Sequence, residues 1–336
     1  MTAEPHFGRV TILGLGLIGG SLAKALKRHG AVAEVVGWGH RQSSLQTGVE
    51  LGVIDRYTLD LAQAVGGADV VVIATPPLIA ESMLESLMPL VAPSTIVTDV
   101  ASVKGNLERA ARRVFGAVPP NLVLAHPIAG SERSGVAAAR ADLFIGHRVV
   151  LTPAENTDPL ALERVRAMWR ITGAEVVDMS VERHDAVLAA TSHLPHVLAY
   201  ALVDALVGDP ARRDILQFAG GGFRDVTRIA ASDPTMWHDI AIANRPALLT
   251  AIDEFSSALA ALRAAIDRSD GASLIATFER AKAARDQFAD MLRRQADAER
   301  DAPDLDEAGC SDEPSNRPNP SDRPHSSDRP HSSDRE

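Results

Sequence analysis

An α/β chain, with a doubly wound parallel sheet in its N-terminal part and an all-helical C-terminal domain, is predicted by three features of the sequence. Short apolar runs alternate with helical patterns from Arg9 to about Pro153, in the order RVTILG, EVVGWG, DVVVIATPP, TIVTDVAS, LVLAHP and HRVVLTP. Runs that are apolar throughout and separated by helices belong to parallel strands covered on both faces. After AEVVDM, which ends at Met179, the strand pattern stops. Ala- and Leu-rich segments with helical spacing, such as VLAYALVDAL and IDEFSSALAALRAAI, then continue to Ala296. The third feature is a glycine string that follows the first strand directly.

A chain of 336 residues, 46% of them hydrophobic, is long enough for two cores. Residues 1–179 are read as the sheet domain and 180–297 as the helical domain, whose apolar surface exceeds what packing on the sheet needs. Residues 298–336 turn to Ser, Asp, Arg, Pro and His, with SDRPHS recurring from Ser321 and Ser327. That composition buries too little apolar surface to offset chain entropy, so a disordered low-complexity tail is expected there. His325 and His331 are read as part of this solvated extension, and no metal site is expected. The single cysteine, Cys310, lies in the tail, which rules out an internal disulfide or a cysteine-based metal site. No run of about 18 apolar residues stands out, and Met1 to Gly8 lacks the basic start of a signal peptide, so a cytoplasmic protein is expected. A formal net charge of −10 argues against nucleic acid or a membrane as partner. An anionic small-molecule substrate then needs locally placed arginines.

The first strand, RVTILG, leads into Gly14-Leu15-Gly16-Leu17-Ile18-Gly19 and the helical segment GSLAKALKRHG. In this strand–turn–helix setting the string reads as a Rossmann-type dinucleotide site. Gly14 permits the turn, Gly16 lets backbone approach a pyrophosphate, and Gly19 permits close helix–strand packing. The helix start offers free N–H groups to the anion. At the end of the second strand, VVGWGHR, no carboxylate is available for a ribose 2′-hydroxyl. Gly39 stands where the acid is expected, followed by His40 and Arg41. Arg41 reads either as the bidentate partner of a 2′-phosphate, favouring NADP over NAD, or as a solvated residue opening the next helix. Thr75 and Pro76, closing the strand of DVVVIATPP, read as walls of the nicotinamide ribose pocket or as an ordinary turn.

Two later strand ends carry the reactive groups. TDVASVKG places Ser102 and Lys104 just past a strand, and LVLAHPIAGSERSG does the same with His126, Ser131 and Glu132. A histidine at the carboxyl end of a buried strand, beside a cofactor crevice, is placed for acid–base work. In the helical half, His193 and His196 stand three apart and share a helix face. They read as a polar pair facing the cleft or as satisfied core histidines, and no third ligand makes them a metal site. GGGFRDVTRIA brings Arg224 and Arg228 after Gly220, Gly221 and Gly222, and arginine suits a carboxylate. Arg224 with Asp225 reads alternatively as a structural ion pair, and Trp237 as core.

The strings GLGLIGGSLA, TDVASVKG, HPIAGSERSG, TSHLPHVLAYALVD and GGGFRDVTRIAASDPTMW occur in that order between about Gly8 and Leu292. In this the chain resembles the prephenate/arogenate dehydrogenase family. The resemblance implies a Rossmann-type dinucleotide-binding domain followed by a helical substrate and dimerisation domain, and hence a homodimer. It implies oxidative decarboxylation of prephenate or arogenate in tyrosine biosynthesis, with His126 taking the proton of the ring hydroxyl and Ser102 assisting at the same group. It further implies that His196 contacts substrate with His193 in support, that Arg228 clamps a carboxylate, and that Glu132 organises the pocket. Two other readings remain: a β-hydroxyacid dehydrogenase, whose lysine acid–base group is matched in the helical domain only by Lys282, and a catalytically silent NAD(P)-binding sensor.

Overall fold

The computed structural model describes residues 6–131, 133–208 and 216–300, the last six by backbone alone. Residues up to Ile275 form one compact unit, and a second begins at Ala276. The sheet strands are β1 (Phe7–Leu13), β2 (Val32–Trp38), β3 (Arg56–Thr58), β4 (Val70–Ile73), β5 (Ile96–Asp99), β6 (Leu122–Pro127), β7 (Arg148–Thr152) and β8 (Glu175–Asp178). They form one sheet in the order β3-β2-β1-β4-β5-β6-β7-β8. Helices α1 (Leu17–Arg28), α2 (Gln42–Glu50), α3 (Leu61–Val65), α4 (Pro77–Leu87), α5 (Gly105–Phe115) and α6 (Pro159–Ile171) connect them.

The pleat decides which face each apolar residue covers. Val10, Ile12, Val70, Val72, Val123 and Ala125 join Leu22 and Leu26 of α1 and Trp169 of α6 in one core. Leu13, Val71, Ile73, Val97, Leu122 and Leu124 pack on the other face against Leu84 and Leu87 of α4 and Leu107 of α5. Strands apolar on both faces are therefore covered on both faces.

The sheet is not parallel throughout, which corrects the sequence expectation. β6 pairs with β7 in antiparallel fashion, and β8 lies parallel to β7. A parallel return needs a crossover helix. Among the described residues the connection from β6 to β7 holds only a short 3-10 turn, Val136–Ala138, and the chain turns back alongside β6. The short edge strand β3 was also absent from the expected strands.

Beyond Asp178 every described element is helical: α7 (Val181–Leu188), a π-turn (Ala189–His193), α8 (Leu194–Val207), α9 (Gly221–Thr227), a 3-10 turn (Arg228–Ala231), α10 (Pro234–Ala243), α11 (Arg245–Asp267) and α12 (Gly271–Arg300). Ser180 caps α7 by accepting the Arg183 N–H, and Asp233 caps α10 by accepting that of Met236. The last described turn of α12 covers 298–300, so the helix runs three residues into the segment expected as tail; the rest of that segment lies outside the described residues. From Val181 to Val207 the helix is continuous and, with a mean hydropathy of 1.4 over an 18-residue window, long and apolar enough to cross a bilayer on those criteria alone. This qualifies the sequence expectation that no such run exists. Buried His184, Asp185 and His193, hydrogen-bonded to residues outside the helix, tie its N-terminal half into the fold.

Candidate active site

The carboxyl ends of β1, β2 and β4 meet at the glycine turn. Gly14 donates to Trp38 O at 2.9 Å, and Ala74 donates to Leu13 O at 2.7 Å. Gly14 has φ +99°, and a Cβ there would stand 2.6 Å from Ala74 O. A Cβ on Gly19 would meet Ile12 Cγ2 at 2.7 Å and Ala74 Cβ at 2.9 Å, so α1 packs tightly on the strands. Gly16, the N-cap of α1, has no atom within 4 Å of its Cβ position, and no side chain caps the helix. The turn thus presents free N–H groups, including those of Leu17 and Ile18, to open space. The Thr75 hydroxyl, next to Gly14, is buried without a partner, as a group awaiting a ligand would be. These features fit a dinucleotide. Pro76 caps α4, and His40 and Arg41 are exposed at the end of β2, where His40 meets the edge of Trp38 at 5.2 Å.

His126 lies within β6 and is 8% exposed. Behind it, Lys104 and Asp99 form an ion pair with neither side chain exposed. Lys104 Nζ also donates to Ala125 O at 2.7 Å, while Asp99 accepts the N–H of Ala101 at 2.9 Å and of Ala125 at 3.1 Å. His126 Nδ1 stands 2.9 Å from His184 Nε2, and His184 Nδ1 stands 2.8 Å from Asp185 Oδ1. Asp185 also accepts the N–H of Lys104 and Gly105 at the start of α5, at 3.0 and 2.8 Å. Burial pushes His126 well below its ordinary value, and His184, Lys104 and His193 add to the depression. His126 is therefore neutral at physiological pH and able to accept a proton. Ser102, half-buried on the loop after β5, makes no hydrogen bond among the described residues.

The helical side closes on the same region. Asn244 Nδ2 donates to Asp185 O at 2.9 Å and lies 3.0 Å from His193 Nδ1, and His193 Nε2 is buried without a partner. Burial lowers His193 to about 4. His196 donates Nδ1–H to Ser192 O at 2.9 Å and stacks on Trp237, with centroids 3.6 Å apart and planes 18° apart. Burial depresses His196, and Arg228 adds to this against the Ser192 hydrogen bond. The exposed Arg228 thus lies near the histidine pair, at the head of its 3-10 turn. Arg224 pairs loosely with Asp225 at 3.6 Å, both exposed. Trp237, expected as core, is half-buried, packing on Val103 and Ile240 while its ring covers His196.

The structure brings His193 close enough to act on His126, sets Trp237 against His193 and His196, and leaves Arg41 exposed after β2. Glu132 lies outside the described residues. Sequence reasoning missed His184, Asp185, Asn244 and the π-turn. The adjacent His184-Asp185 pair was the only available signal.

Comparison with known proteins identifies the family. The family model for the nucleotide-binding domain of prephenate dehydrogenase matches residues 22–178, and that for its dimerization domain matches residues 180–280. The chain is 36% identical over 282 residues to the cyclohexadienyl dehydrogenase of Zymomonas mobilis, covering 83% of this chain and 95% of that protein. Among solved structures, prephenate dehydrogenase from A. aeolicus in complex with hydroxyphenyl propionate and NAD+ superposes with a TM-score of 0.79 at 36% identity, over 84% of this chain and 98% of that one. Synechocystis arogenate dehydrogenase gives a TM-score of 0.72 at 30% identity, over 83% and 99% of the two chains.

Proposed function

The chain belongs to the prephenate dehydrogenase family, and on that premise we propose that it oxidatively decarboxylates prephenate, arogenate or both, using NADP in preference to NAD. The observation that carries this is His126: neutral, almost buried at the end of β6, and set beside His184 and His193 of the helical part. When bound, the nicotinamide supplies the hydride acceptor for the ring carbon that carries the substrate hydroxyl. The residues that hold the dinucleotide are Gly14 to Gly19, Thr75 and Pro76, with His40 and Arg41 at the adenosine ribose. His126 accepts the hydroxyl proton, Ser102 orients the same hydroxyl, and Arg228 binds a carboxylate. Loss of the ring carboxylate as carbon dioxide leaves an aromatic ring, so the protein needs only to orient the ring, bind charge and hold one proton. His196, stacked on Trp237, offers an unprotonated Nε2 to the substrate, with His193 behind it.

A homodimer belongs to the same reading. Of the largely apolar α8, only Ala199 is buried; Leu202 of the same helix is exposed, and so are Leu249, Phe255 and Leu259 on α11. Such a surface calls for a cover, and a second copy supplies it. A cytoplasmic location belongs to the same proposal. The test is the initial rate with prephenate and arogenate crossed against NAD and NADP, read as reduced-cofactor absorbance. Turnover of either substrate supports the assignment, and no turnover in any of the four combinations by folded protein overturns it.

A further inference from the structure

Asp185, His184 and His126 form a line of hydrogen bonds whose direction can be worked out from one end. Asp185 receives the N–H of Lys104 and of Gly105 as well as the imidazole of His184. Burial acts to raise its pKa, but His184 and the two backbone donors outweigh that and hold the carboxyl below its ordinary range. Its place at the start of α5 favours the anion further. An ionised carboxylate only accepts, so His184 Nδ1 carries a hydrogen. Burial, opposed by Asp185, leaves His184 below its ordinary value, so the ring is neutral and holds that single proton. Its Nε2 is then a lone pair, 2.9 Å from His126 Nδ1. Two lone pairs would repel at that distance, so His126 Nδ1 carries the hydrogen. His126 is neutral too, which leaves its Nε2 unprotonated, and this atom makes no hydrogen bond among the described residues.

We propose that His184, held by Asp185, is a positioning residue that fixes His126 in the Nδ1–H tautomer, so that Nε2 receives the substrate proton and the charge formed there is shared along the line. This deepens the reading of His126 as the base and rests on it. The fold supplies the alignment: residues 184 and 185 are neighbours in the middle of α7, so their side chains diverge by about 100°. One reaches β6 and the other the start of α5. A carboxylate that orients a histidine and stabilises its protonated form is a device with known catalytic weight in other folds.

The experiment begins with the free protein, labelled with 15N-histidine. Long-range 15N–1H correlation spectra, with His126→Asn used for assignment, report which ring nitrogen of His126 bears hydrogen. The Nδ1–H pattern is expected, and an Nε2–H pattern overturns the proposal whether or not the enzyme turns over any substrate. His184→Phe keeps the ring volume but removes both nitrogens. It should leave the His126 tautomers mixed and lower kcat about tenfold to hundredfold, while KM and cofactor Kd stay within about twofold. His184→Gln can still accept from His126 Nδ1, and should keep the tautomer and recover part of kcat. Wild-type kcat in folded His184→Phe overturns the proposal, as does a fall in kcat with the His126 tautomer unchanged. Absence of turnover by the wild type counts instead against the assigned reaction.

Discussion

Lys104 and Asp99 are paired with no side-chain surface left to solvent, directly behind the strand that carries His126. Burial drives the Asp99 carboxyl up and the Lys104 ammonium down, and each charge opposes the shift of the other. Such a pair contributes little net stability, but removing one partner strands the other. Lys104→Met should therefore cost about 3–5 kcal/mol in urea unfolding. Adding Asp99→Asn should recover part of that loss by removing the orphaned charge. A single variant as stable as the wild type would show that Asp99 is protonated in the fold.

Acid should destabilise the fold as pH falls below the ordinary histidine range. Burial lowers His193 from 6.5 to about 4, so the unfolded chain takes up a proton at a pH where the folded one does not. Stability from this site is full above the unfolded value and is lost as pH falls from about 6.5 towards 4, by about 3 kcal/mol at most. His126 and His184, also depressed, act in the same direction. Urea unfolding at pH 7 and pH 4.5 should show the loss, and His193→Gln should lose less. Equal losses in both proteins would contradict the assignment to His193.

Two alanine substitutions in the glycine turn should separate folding from binding. Gly14→Ala puts a methyl at positive φ and 2.6 Å from Ala74 O, so about 2 kcal/mol or more of stability should go, seen as a lower Tm. Gly16→Ala meets no atom within 4 Å and should melt like the wild type. Its methyl occupies the space left for a pyrophosphate, so the Kd for NADP should rise about tenfold or more in a fluorescence titration. Unchanged affinity in Gly16→Ala would move the phosphate site elsewhere.

Arg41 is exposed just before α2, with no carboxylate on the preceding strand end to reject a 2′-phosphate. Arg41→Ala should raise KM for NADP about tenfold to a hundredfold, the worth of one charge-assisted contact, and leave KM for NAD unchanged. An equal effect on both cofactors would make Arg41 a general surface charge.

Much of this was readable from the chain, and the unreadable parts share a cause. The glycine turn and His126 are local: strand, turn and helix follow one another within a few residues, and a strand end in an α/β sheet already faces the crevice. The reversal at β7 depends on what the β6–β7 connection does, and apolar runs look alike in either direction. His184 and Asp185 carry no motif of their own, and their role shows only once β6 and α5 are brought against them. His193 follows His184 by nine residues, which in a regular α-helix is about 900° of rotation and places the two on opposite sides. The π-turn Ala189–His193 takes up part of that rotation, allowing Asn244 to touch both Asp185 O and His193. Tertiary packing selects such a turn, and periodicity gives no sign of it.

The sharpest expectation concerns the pH dependence of turnover. A base works only while unprotonated, and burial together with His184, Lys104 and His193 holds His126 well below the ordinary histidine range. Its neutral form persists as pH falls through 6.5, so the acid limb of kcat should lie clearly below that value, although a free histidine would titrate there. Lys104, paired with Asp99 behind the strand, is part of the cause. His126→Asn should lower kcat about a hundredfold to ten-thousandfold and flatten the remaining acid limb, with cofactor Kd unchanged. If the limb survives in His126→Asn at the same pH, the titrating base is another group, and His196 becomes the first candidate.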